Sequence, residues 1–152
     1  MKLSTKGRYG LRAMIDMARY STDEPVSIGS VASRQGISEG YLEQLVSLLK
    51  KAGLVKSIRG AGGGYVLAKD AEEISVGDIL RALEGSLEPV RCAAFYSDEG
   101  CNAADGCVTK YVWQRINDSI NQTVDEMRLD ELVKESCALN PEGECEDHRC
   151  NK

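Results

Sequence analysis

The apolar positions Leu11, Met14, Ile15 and Ala18 recur at helical spacing, and Ser4 upstream offers a side-chain oxygen suited to capping such a helix. The Ser21-Thr22-Asp23-Glu24-Pro25 stretch ends it. Ser27 then opens a short segment with Ile28, Val31 and Ala32 that stops at Gly36, and Ser38 opens another running to about Ala52, with Gly53 behind it. Two short helices joined by a tight glycine turn read as helix-turn-helix. In the second of them Leu42, Leu45, Val46 and Leu49 make an apolar stripe, which turns Ser38, Glu39, Gly40, Glu43, Gln44, Ser47, Lys50 and Lys51 outward.

The pattern changes after Gly53. Leu54 to Ile58 and Tyr65 to Ala68 are dominated by Val, Ile, Tyr and Leu, and the glycine-rich Arg59 to Gly64 between them predicts a hairpin, the wing of a winged helix. Those glycines match neither a dinucleotide fingerprint nor a P-loop, whereas a small tip with Arg59 at its base suits a minor groove. Ser75 caps a further helix through Ile79, Leu80 and Leu83, closed by Gly85. Val108, Val112, Ile116, Ile120 and Val124 then repeat every four residues, joined by Tyr111 and Met127, which predicts a helix of about five turns. So much apolar surface calls for pairing with a twin helix from a second subunit, or else for folding back on its own domain. A short helix through Leu132 and Val133 ends near Cys137. The expected fold is mainly α with a small β-hairpin. A winged helix-turn-helix spans 1–88, a cysteine loop 89–107, dimerisation helices 108–136 and a polar, disordered tail 137–152.

Charge sharpens this division. The net charge is -5, yet residues 1–69 carry eleven Lys and Arg against five Asp and Glu, while residues 70–152 carry eight against nineteen. A basic N-terminal half can release counterions from a duplex, and the acidic half should sit away from it. With no apolar stretch behind the N-terminus and none of membrane-spanning length, the chain is expected in the cytoplasm.

All six cysteines lie after residue 90. In a reducing compartment that usage favours metal or redox chemistry over disulfides. Cys92, Cys101 and Cys107 share one loop, and the last lies where the positive end of a helix favours its thiolate. The spacings fit neither a zinc knuckle nor the common ferredoxin runs, so a metal site, a thiol switch and inert thiols stay open on spacing alone. Cys137, Cys145, His148 and Cys150 could in principle hold a second metal. No catalytic constellation stands out, since no Cys-x-x-Cys lies in a thioredoxin-like setting and the single histidine lies in the tail.

Three stretches carry a family resemblance: Met1-Lys2-Leu3-Ser4-Thr5-Lys6-Gly7-Arg8-Tyr9, Gly36-Ile37-Ser38 followed by Tyr41-Leu42-Glu43-Gln44-Leu45, and Arg59 through Tyr65. With the three cysteines and the helices after them, they resemble the IscR, CymR and NsrR group of bacterial winged-helix regulators, often called the Rrf-two family. The resemblance implies a homodimer with crossing long helices on a partly palindromic double-stranded operator. It places Ser38, Glu43 and Gln44 at base edges, Tyr41 near phosphates and Arg59 in the minor groove, with Gly40 where IscR has a serine. It also implies an iron-sulfur cluster on Cys92, Cys101 and Cys107, of the two-iron kind as in IscR or the four-iron kind as in NsrR. The CymR branch lacks these cysteines. Lys110 stands where IscR has a histidine and Arg8 where NsrR has an acidic ligand, so the fourth ligand falls to Cys137, Cys145, His148, Cys150 or an exogenous thiol. The expected function is a repressor sensing cluster status. Nitric oxide or redox sensing, control of cysteine metabolism and a zinc-stabilised module without sensing are the alternatives.

Overall fold

The computed structural model describes residues 2–90 and 106–141. Helix α1 (Thr5–Tyr20) begins at Ser4, whose hydroxyl accepts from the Gly7 amide at 3.4 Å. Helices α2 (Ile28–Gln35) and α3 (Glu39–Lys51) are capped in the same way by Ser27 and Ser38, and Gly36 between them sits at φ 63°, a left-handed turn that favours glycine. Strands β1 (Val55–Ile58) and β2 (Gly64–Leu67) pair antiparallel, with Val55 opposite Leu67 and Ile58 opposite Gly64. The ladder starts one residue later than the hydrophobic pattern suggests, because the Leu54 amide is spent on the Leu49 carbonyl that closes α3. A further rung is added from outside the hairpin, where Val26 and Tyr65 exchange backbone bonds of 3.0 and 2.8 Å.

A single 3-10 turn (Ala71–Glu73) leads to α4 (Val76–Glu84), where Ser75 and Asp78 form a reciprocal capping box. Helices α5 (Thr109–Glu126) and α6 (Leu129–Leu139) follow. The expectation of a mainly α fold with a two-stranded wing is borne out. No helix among the described residues is long and apolar enough to cross a membrane.

Met14 and Met17 of α1, Leu42, Leu45 and Leu49 of α3, and Ile79 of α4 close one core. Leu129, fully buried, belongs to the same core, so the chain returns to it after α5. Two backbone bonds of 2.9 Å, Val76 N–H to the Met127 carbonyl and Leu129 N–H to the Ile74 carbonyl, stitch the α5–α6 corner to the start of α4. Helices α1 and α4 approach so closely that a β-carbon on Gly10 would collide with Leu83, and one on Gly7 with Glu84. Between α1 and α2 the contact is polar instead. Arg34 grips the buried Asp16 carboxylate at 2.6, 2.9 and 3.2 Å, and Gln35 links that carboxylate (2.9 Å) to Arg12 (3.0 Å). A buried charge tolerates this position only because it is so fully bonded.

Candidate nucleic-acid interface and the cysteine end of the long helix

Burying Leu42, Leu45, Val46 and Leu49 at 2% exposure or less commits one side of α3 to the core. Ser38, Glu39, Gly40, Glu43, Gln44, Ser47, Lys50 and Lys51 are all exposed on the other side. The Ser38 hydroxyl accepts from the Tyr41 amide at 3.2 Å, so one candidate base-contacting residue also fixes where the helix begins. Lys6 of α1 joins Gly40, Tyr41, Glu43 and Gln44 in lining an open groove along this face. That places a cation, which the hydrophobic pattern did not single out, beside the candidate reading residues; its only sequence signal is its place in the Met1 to Tyr9 stretch.

Tyr41 packs edge-on against Tyr9, with ring centroids 6.2 Å apart, and Tyr9 in turn carries the Arg12 guanidinium at 5.4 Å. Burial, and then Tyr9, push the Tyr41 phenol above its ordinary value. It therefore stays protonated at neutral pH and can donate to a phosphate oxygen.

Arg59 is exposed at the base of the wing, immediately after β1. The tip behind it is tightened by a 3.0 Å bond from the Gly63 amide to the Gly60 carbonyl. Lys50 at the end of α3 donates to Ser57 of β1 at 2.9 Å, which ties the wing to the helix. The exposed face of α3 and the wing thus ride on elements joined to each other rather than on independent loops.

Cys107 lies two residues before α5. Its sulfur is 3.1 Å from the Thr109 hydroxyl, and that bond, with help from the Lys110 and Thr109 amides, lowers the thiol below its ordinary value. The thiolate so favoured is the form that iron or zinc takes, so this donor fits a metal centre. Cys137 is exposed in the last turn of α6. Cys92, Cys101, Cys145, His148 and Cys150 lie outside the described residues. Among the described residues no three His, Cys, Asp or Glu side chains gather into a metal-holding group.

Helix α5 keeps little of itself from solvent: Asn117 is its one buried residue, while Tyr111 is 65% and Val112 50% exposed. Val112, Ile116, Ile120 and Val124 line a shallow apolar hollow along it. At its far end Arg81 of α4 holds Asp125 through bonds of 2.7 and 2.9 Å and reaches Asn121 at 2.7 Å.

The family Rrf2, described as iron-dependent transcriptional regulators, matches residues 3–135. The HTH-type transcriptional regulator IscR of Pectobacterium carotovorum subsp. carotovorum (strain PC1) is 44% identical over 140 residues, covering 92% of this chain and 84% of that one. The IscR of Photorhabdus laumondii is 43% identical over 143 residues, covering 94% and 85%. Among solved structures, T. potens IscR aligns with a TM-score of 0.73 at 45% identity, covering 92% of this chain and 91% of that one. CymR, the global cysteine regulator of B. subtilis, aligns at 0.72 and 44%, covering 89% and 98%.

Proposed function

This chain belongs to the Rrf2 family of iron-dependent transcriptional regulators and is a DNA-binding regulator of the IscR type, and on that premise we propose that it is a homodimeric repressor whose operator affinity follows the state of an iron-sulfur cluster. Residues 1–88 read the duplex, 89–107 supply the thiolates, and the helices from 108 onward pair the subunits, with α6 running on through Leu139 before the tail begins. Ser38, Glu43 and Gln44 meet base edges, where Gln pairs with adenine and Glu accepts from the cytosine amino group. Tyr41 and Lys6 hold phosphates, and Arg59 enters a narrow minor groove.

Cys92, Cys101 and Cys107 would hold the cluster, a two-iron centre as the leading form and a four-iron one as the other. When bound, the group supplies a redox- and oxygen-labile charge whose presence reports iron and sulfide supply. The chain's own part is to favour the Cys107 thiolate through Thr109 and to present it at the start of α5. The uncovered apolar face of α5 supports pairing of two copies, since a monomer would leave that face in water.

The observation that carries this reading is the division of α3, with its apolar side sealed in the core and its polar side open beside Lys6 and the wing. The deciding experiment compares operator affinity of air-free reconstituted and cluster-free protein at one salt concentration. A tenfold difference, equivalent to about 1.4 kcal/mol, is expected. Equal affinities reject the switch, and a colourless zinc-loaded protein instead supports the zinc-stabilised module.

A further inference from the structure

Helix α4 lies against α1, α3 and α5. On the α5 side, Arg81 forks onto Asp125 and Asn121, and the Asn121 amide is itself oriented by donating to the Asn117 carbonyl at 2.9 Å. This clasp reaches one further turn along α5 in the direction of Cys107. The ion pair is partly exposed, 36% at Arg81 and 48% at Asp125, so it contributes little to stability. It is seated closely against α4, since Asp125 and Arg81 occupy the space a β-carbon on Gly77 would need and Val124 stands 3.1 Å from it.

One turn further along α4, a single oxygen of Glu84 accepts three bonds from the start of α1. They come from the Ser4 amide at 3.0 Å, the Ser4 hydroxyl at 2.5 Å and the Gly7 amide at 3.1 Å. Between those two residues stands Lys6, which lines the groove beside Gly40, Tyr41 and Gln44. Both interfaces are bridged by side chains held at two or more bonds each, Arg81 on one and Glu84 on the other, and such a bonded joint ties the displacement of one helix to that of the next.

We propose that α4 carries the state of the Cys107 end of α5 to the face of α3 that meets DNA, with Arg81 and Glu84 as its two positioning residues. The inference rests on the cluster reading given above. Arg81 fixes α4 to α5, and Glu84 fixes the same helix to the turn of α1 that sets Lys6 against the recognition helix. Cutting either joint should leave cluster and duplex binding in place while separating one from the other.

The test uses the full chain purified without air, as Arg81→Met, Arg81→Lys and Glu84→Gln. Arg81→Met should retain iron, sulfide and dimer mass, and its cluster-free operator affinity should stay within about threefold of the parent. Its ratio of loaded to cluster-free affinity should fall about tenfold, toward unity. Arg81→Lys, able to keep one bond to Asp125, should recover part of that ratio, and Glu84→Gln should lower it. A ratio kept in full by Arg81→Met and Glu84→Gln overturns the proposal.

If the parent chain itself binds equally in both states, the sensing reading fails, and hydrogen exchange in cluster-free protein then decides the role of α4. Arg81→Met should speed exchange at the Gly7 amide, whose bond runs to Glu84 and not to Arg81, by about fivefold. A merely local role would accelerate α5 alone, and unchanged exchange at Gly7 overturns the linkage.

Discussion

Helices α3 and α5 both carry an apolar stripe at helical spacing, yet they use it in opposite ways. In α3 the stripe is consumed within the chain, with Leu42, Leu45 and Leu49 fully buried and the remaining side left polar. In α5 the only buried residue is Asn117, and the stripe stays exposed at Tyr111 and Val112 and half-buried at Ile116, Ile120 and Val124. Amphipathicity alone does not say what a helix faces. The difference lies in the neighbours: α3 is enclosed by α1, α2, α4 and the wing, whereas among the described residues α5 is held mainly by α4.

Truncation at equivalent stripe positions should separate the two helices most sharply. Leu45→Ala is expected to cost about 2–5 kcal/mol in chemical denaturation, because it empties a sealed core. Val112→Ala, measured where the chain is monomeric, should change stability by less than about 0.5 kcal/mol. Similar losses at both sites would erase the distinction. The next largest effect belongs to association: Ile120→Asp should raise the dimer dissociation constant about a hundredfold, or about 2.7 kcal/mol, in sedimentation equilibrium.

On the polar side of α3, Gln44→Ala should weaken the preferred operator by about 1–3 kcal/mol and relax its base preference. Lys6→Ala should weaken all duplexes alike and reduce the salt slope by about one. Equal sequence dependence in the two variants would merge reading and anchoring. The smallest effect concerns the clasp on α5. The bond from Arg81 holds the Asp125 carboxyl below the usual aspartate range, so its contribution is present above the unfolded value of about 3.9 and disappears as pH falls through the lowered one. With screening at so exposed a site, Asp125→Asn should cost a few tenths of a kcal/mol at pH 6 and progressively less as pH falls below the ordinary aspartate value, as read by thermal unfolding.

Much of the fold was legible in local pattern. Ser4, Ser27, Ser38 and Ser75 each cap the helix their position announces, and Gly36 makes the left-handed turn. These features repeat within one turn of chain, which is the range periodicity can report. The polar joints were not legible. Glu84 caps a helix 80 residues upstream, and Arg81 finds Asp125 at a separation of 44, so neither leaves a periodic trace. The Val26–Tyr65 rung escaped for the same reason, as no turn residue links its two sides. The outward face of α3 followed from its stripe, while Lys6 came beside it only through the packing of α1.

Arg19 has a mechanical consequence. From α1 it reaches the carbonyls of Ser136, Asn140 and Pro141 at the exit of α6, at 3.3, 2.5 and 3.4 Å. A load applied beyond residue 141 would therefore be taken up by the first helix instead of peeling the last one from its free end. A small emitter attached at the exposed Leu139 would turn with the body of the protein, making polarised emission a gauge of how the whole regulator tumbles.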